Sequence, residues 1–159
     1  MFAIEVTIRK AVYTAIDAAR NGYDLNDIDL QETYFPRENL EDIGEKPFVK
    51  IISLGHSKAR ERSLRSTERI LLNIPVQVAI QQRVDDIRDT EYLDKIVHLA
   101  EQIRETLEDD DLVTGQDYSW QSTVPLQDAE GNTFSYEDLT IKGVFGIIFT
   151  LHYQFIKQP

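Results

Sequence analysis

The stretch ERILLNIPVQVAIQQR, Glu68 to Arg83, places Ile70, Leu72, Ile74, Val76, Val78 and Ile80 at every second position. Between them stand Arg69, Leu71, Asn73, Pro75, Gln77, Ala79 and Gln81, most of them polar or small. A period of two buries one face of an extended chain and leaves the other outside, which predicts a strand. Far downstream, LTIKGVFGIIFTLHYQFIK, Leu139 to Lys157, repeats the pattern. Its apolar set is Ile141, Phe145, Ile147, Phe149, Leu151, Tyr153 and Phe155, with Gly143 as the one gap. The reading is of two long strands forming a core sheet that the rest of the chain covers or extends.

Pro75 cannot donate to a ladder, so it implies an edge, a bulge or a break in the first strand. In the second, the other face is also partly apolar (Val144, Ile148, Ile156), which predicts a central or covered position. Pro47 to Leu54, PFVKIISL, is rich in β-branched residues and stops at Gly55, so it is a third strand candidate. Two helices flank these strands. Ile4 to Asn21 puts Ile4, Ile8, Ala11, Val12, Ala15, Ile16 and Ala19 on one side. Glu5, Arg9, Lys10, Asp17 and Arg20 fall on the other, and Asn21-Gly22 supplies a stop. Thr90 to Glu108 carries the stripe Leu93, Ile96, Val97, Ala100, Ile103 and Leu107, with Asp89 or Thr90 available as a cap.

The connections are sorted by charge. Between Tyr23 and Lys46 eight acids face the single base Arg37, with a short strand expected around Gln31 to Phe35. His56 to Thr67 is the reverse: Lys58, Arg60, Arg62 and Arg65 stand against Glu61 alone. Joining two strands, this segment reads as a protruding basic hairpin arm, either a solvated tip or a contact for an acidic neighbour. From Glu105 to Ile141 there are ten acids and no Lys or Arg, with Tyr118, Trp120 and Phe134 interleaved. Residues 109–138 are therefore expected to form a long acidic loop, with Trp120 either packing over the sheet end or meeting a partner.

At 159 residues, 42% hydrophobic and 28% charged, the chain fits one domain, 1–159, of α+β class. The expected architecture is an antiparallel or mixed sheet of about four strands, flanked by two main helices. A net charge of -11 argues against binding nucleic acid by neutralising phosphates. It leaves solubility, or repulsion of a polyanion, as the meaning of the charge. There is no cysteine, hence no disulfide or thiolate site. Met1 to Lys10 does not read as a secretory signal, and Gly143 to Phe155 is too short to span a bilayer as a helix.

No catalytic or metal motif stands out in the sequence. His56, His98 and His152 lack metal-type spacing, and His56-Ser57 has no nucleophile elbow around it. The acidic runs lack the D-x-D-x-D-G calcium loop, and no glycine pattern cradles phosphate. No enzyme, cofactor or metal is expected.

The order of helix, strand, basic arm, alternating strand, helix, acidic loop and terminal strand resembles the tail-terminator and tail-completion (neck) proteins of long-tailed bacteriophages. ERILLNIPVQVAIQQRV, EYLDKIVHLAEQIRETL and GVFGIIFTLHYQF carry the resemblance. It covers roughly Phe48 to Lys157, with Ile4 to Asn21 matching the initial helix of such proteins. The resemblance implies a hexameric ring in the virion, assembled in the host cytoplasm, with tail-tube and head-connector proteins as partners. DNA would pass through an acidic lumen without specific binding. Lys58, Arg60, Arg62 and Arg65 would meet an acidic surface on a neighbour, with Trp120 a second interface candidate. The acidic stretch is longer than such proteins lead one to expect. The alternatives are a small acidic adaptor and a ligand-binding α/β domain.

Overall fold

Strand β4 (Glu68–Arg83) lies against β6 (Val144–Lys157) in an antiparallel ladder that runs unbroken from Ile70↔Lys157 to Arg83↔Val144. The register aligns the two alternating patterns: Ile80 faces Ile147, Val78 Phe149, Val76 Leu151, Ile74 Tyr153 and Leu72 Phe155. Residues opposite one another share a face, so both apolar sets point the same way. Ile74, Val76, Val78, Ile80 and Leu151 are fully buried there. The computed structural model describes residues 3–34, 43–62, 68–112 and 118–157.

The protein is α+β, with a mostly antiparallel sheet of six strands rather than about four. Added to β4 and β6 are β1 (Asp29–Thr33), β2 (Phe48–Ser53), β3 (Ser57–Arg62) and β5 (Tyr118–Pro125). The order across the sheet is β1-β2-β4-β6-β5, and β3 pairs with the other half of β4. Only β1 and β2 run parallel. Helices α1 (Ile4–Ala19) and α2 (Thr90–Leu107) bury Ile8, Val12 and Ile16, and Ile96, Leu99 and Ile103, in the core that the sheet's apolar face completes. Burying each such side chain contributes about 1.5–3 kcal/mol relative to exposure.

Pro75 does not break β4. The interruption is in the neighbouring strand instead. Ser53 pairs with Val76 and Ser57 with Asn73, so Leu54, Gly55 and His56 stand opposite only Ile74 and Pro75. That extra residue is a bulge, and Gly55 turns it at φ 82, a conformation that costs other residues about 1–2 kcal/mol. Pro75, with no N–H to give, occupies the part of β4 where neither β2 nor β3 is paired to it.

The segment expected as a free basic arm is, over Ser57–Arg62, a strand of the sheet. Arg65 and the rest of residues 63–67 lie outside the described residues. The loop expected over 109–138 contains β5 and the start of a third helix, α3 (Tyr136–Lys142). The terminal strand therefore begins at Val144, not Leu139, and Ile141 sits on α3 with 72% of its surface exposed. The local chemistry explains the helix. Ser135 caps it by accepting from the Asp138 N–H at 3.2 Å, and Gly143 ends it at φ 65. The first strand is Asp29–Thr33, two residues earlier than expected, and Phe35 lies outside the described residues. The initial helix ends at Ala19, and Arg20–Gly22 tighten into a 3-10 turn.

Two tyrosines tie the helices down. The Tyr153 hydroxyl, buried under α2, donates to the Leu107 carbonyl at 2.7 Å. Tyr23, just past α1, shares a 2.7 Å hydrogen bond with Thr106 of α2. Burial raises the pKa of Tyr153, with the charges of Glu108 and Asp109 adding to the effect, and burial also raises Tyr23 and Tyr118 from 10.0. A raised tyrosine pKa keeps protons on the folded state that the unfolded state releases. Stability is expected to hold below about pH 10 and fall as pH rises above it. Tyr153→Phe should flatten that alkaline decline while costing about 1–3 kcal/mol at neutral pH, because the Leu107 carbonyl loses its donor. Urea unfolding of both proteins across the alkaline range measures both effects.

Candidate functional site

Among the described residues β1, β3 and β5 are the outer strands of the sheet, and β3 and β5 are built differently. On one side β3 has only β4 for a partner among the described residues. Its Ser57, Lys58, Ala59 and Arg60 are exposed. Lys58 faces Leu72 and Arg60 faces Ile70, so both bases rise from the face that carries the core, where the sheet extends past the bulge. Arg62 closes the strand opposite Glu68. The bulge itself is pinned to α1, since His56 Nδ1 bonds the Glu5 carboxylate.

On the other side, the edge of β5 is guarded. Asp110 accepts the Trp120 backbone N–H at 3.0 Å, the register slips between Trp120 and Ser122, and Pro125 has no N–H. Each of these devices discourages the addition of another strand. The long base-free run of the sequence gathers on this side. Asp109, Asp110 and Asp111 are exposed at the turn after α2, and the exposed Glu130 and half-buried Asp128 lie in the turn beyond β5. Asp128 is occupied in shaping that turn. Its carboxylate accepts the N–H groups of Glu130 and Asn132, each at 2.9 Å, and these bonds hold its pKa below the usual carboxylate value.

Trp120, expected as an interface residue or a lid on the sheet end, is half-buried in β5 and packs against the core. Its Nε1 donates to Thr123 Oγ1 at 3.0 Å, and Thr123 donates to Glu108 at 2.7 Å. The structure brings Lys58 and Arg60 together on β3 and sets Trp120 across the sheet from them. The sheet face turned away from α1 and α2 bears Asn73, Gln77, Thr150 and Gln154 in its central rows, so it is not an acidic wall.

Arg9 was placed on the polar side of its helix, yet only 7% of its surface is exposed. Its Nε and Nη1 are buried without a hydrogen-bond partner among the described residues, and the guanidinium lies 4.6 Å from the centre of the Tyr34 ring. Tyr34 follows the last residue of β1 and is 60% exposed. Arg9 stands three residues before Val12 and seven before Ile16, a spacing that sets it beside both on the helix, so its charge and not its position suggested exposure.

Of the concave sites, a cleft of about 120 Å³ lies between Gln81, Gly146, Ile148, Leu126 and Phe134. Its one strongly engaged carboxylate, Asp128, is committed to its own turn. Among the described residues no group of His, Cys, Asp and Glu is placed to hold a metal. No helix is long and apolar enough to cross a membrane.

No protein-family model and no curated protein matches the chain. Among solved structures, one similar chain comes from the virion of a native gene transfer agent particle. The two share 11% identity and a TM-score of 0.43, over 99% of this chain and 100% of that one. At that identity and score the likeness carries neither fold nor function across. If Trp120 is a core residue of β5, its fluorescence should be shielded. Acrylamide quenching is expected to be weak in the folded protein and to rise several-fold only on unfolding in denaturant.

Proposed function

We propose that this chain is a structural subunit of a long-tailed phage virion, assembling head to tail into a ring at the tail end or neck. One observation carries the reading: two strands that lie at opposite borders of the sheet, β3 and β5, differ in charge, although β1, on the same side as β3, carries Asp29 and Glu32. Lys58 and Arg60 stand on β3, and the base-free acidic run flanks β5, with β4 and β6 between them. A ring needs two different, mutually complementary patches on each copy, and a contact of that kind closes when the rotation per subunit divides a full turn. The resemblance of the two long strands and α2 to tail-terminator and tail-completion proteins supplies the ring, hexameric in that family, and its neighbours, tail tube and head connector.

In this reading the protein is not an enzyme and needs no cofactor. Its net charge of -11 also has a use, because DNA would pass the ring without clustered bases to grip its phosphates. The wild-type protein is expected to form rings, alone or on addition of tube protein, by mass photometry and negative-stain microscopy. A monomer under both conditions overturns the proposal. Lys58→Glu with Arg60→Glu should abolish the rings while leaving the circular-dichroism melting curve of the monomer unchanged. Rings surviving that double change would remove β3 from the contact.

A further inference from the structure

We infer that the open edge of β3 is a strand-addition site for an extended partner segment carrying carboxylates at every second position. The inference extends the assembly reading above, because it names the chemistry that the basic edge would recognise.

Three observations bear on the outer edge of β3. First, Ser57 to Arg60 of β3 are exposed, and among the described residues the stretch has no proline, no bulge and no side-chain cap such as Asp110 provides on β5. Unpaired N–H and C=O groups in such an edge are a template for another strand. Second, Lys58 and Arg60 alternate with Ala59, so both project to one face. A strand added beside them would set its own alternate side chains next to theirs. Third, α1 carries Arg9, whose guanidinium lies against the Tyr34 ring. Two of that guanidinium's nitrogens are buried without a partner among the described residues.

A buried guanidinium is costly unless it is paired, and its planar fork matches a carboxylate in bidentate geometry. Arg9 belongs to α1, which covers the same face from which Lys58 and Arg60 rise. All three cations therefore lie on the same side of the sheet. The complementary ligand is an extended backbone with acids on one face. A basic or neutral strand would leave Arg9 unpaired and set like charges or none against Lys58 and Arg60.

The test uses the full chain and a fluorescein-labelled synthetic peptide of alternating Glu and Val, followed by fluorescence anisotropy. Saturable binding that weakens with salt is expected. It should be lost when Lys replaces Glu, and lost when a central Pro interrupts the peptide backbone. Arg9→Met and Lys58→Glu/Arg60→Glu should each weaken binding on the order of tenfold or more. The double variant changes exposed side chains only, so it reports even if Arg9→Met disturbs the fold. Equal binding of the proline-interrupted peptide would reduce the site to a diffuse charge effect and overturn the inference. Absence of binding overturns it too, as does self-association that excludes the peptide at every dilution. Peptide binding by a protein that never forms rings would sink the ring while leaving this site standing. Rings in a protein that ignores the peptide would do the opposite.

Discussion

From Ile70 to Arg83, β4 lies along β6 without a slip, and the rest of the molecule depends on that register. With a side-chain period of two, a shift of one residue would turn Ile74, Val76, Val78 and Ile80 out of the core and bring Asn73, Gln77 and Gln81 into it. Partners on the other side of β4 are then constrained by what β4 offers. It carries two of them in succession, β3 at its start and β2 at its end, with the bulge at Leu54–His56 taking up the extra residue. Pro75 fits that arrangement because the strand there has no neighbour on that side to satisfy. Gly55 fits it because the bulge needs a positive φ.

The two long strands and the two main helices were legible because each has enough residues for its period to stand out. Where reading failed, short elements had imitated something else. Leu139 and Ile141 fall in step with the strand that follows, so α3 was hidden in an apparent continuation. Ser135 and Gly143, its cap and its stop, were the only signs of it. In β5, Tyr118, Trp120, Ser122 and Val124 alternate too, but the slip after Trp120 divides the strand between two registers. Surrounded by acids, the segment read as loop. The parallel pairing of β1 with β2 leaves no local signature, since nothing between them is helical among the described residues.

The candidate site was half legible for a related reason. A run of bases in an acidic chain can be read from composition, and Lys58 and Arg60 are where that run suggested, exposed at one edge. Arg9 could not be found that way. It stands three residues before Val12 and seven before Ile16, on their side of the helix, and whether a charged residue there is covered depends on what packs beside it. Here β1 and Tyr34 do, and the guanidinium is covered. The difference between the two edges is a matter of backbone donors rather than residue class. Asp110 and Pro125 remove two of them from β5, and among the described residues nothing comparable interrupts β3.

A net charge of -11 opposes the approach of one copy to another, yet it does not decide whether a contact forms. Exposed charges farther apart than about 8 Å are largely screened at physiological salt, so only groups near the contact count. On β3 the charged side chains described are Lys58 and Arg60, and at the turn after α2 they are Asp109, Asp110 and Asp111. The same screening acts differently on a polyanion threading a ring. A duplex carries one charge per roughly 1.7 Å of its axis, so wherever it comes within a screening length of an acidic surface several phosphates are repelled at once. An acidic subunit can therefore bind its neighbour through a small basic edge and still repel DNA over the rest of its surface. The requirement is that the few bases be spent at the contact. Lys58 and Arg60, gathered on one open strand edge, meet that requirement.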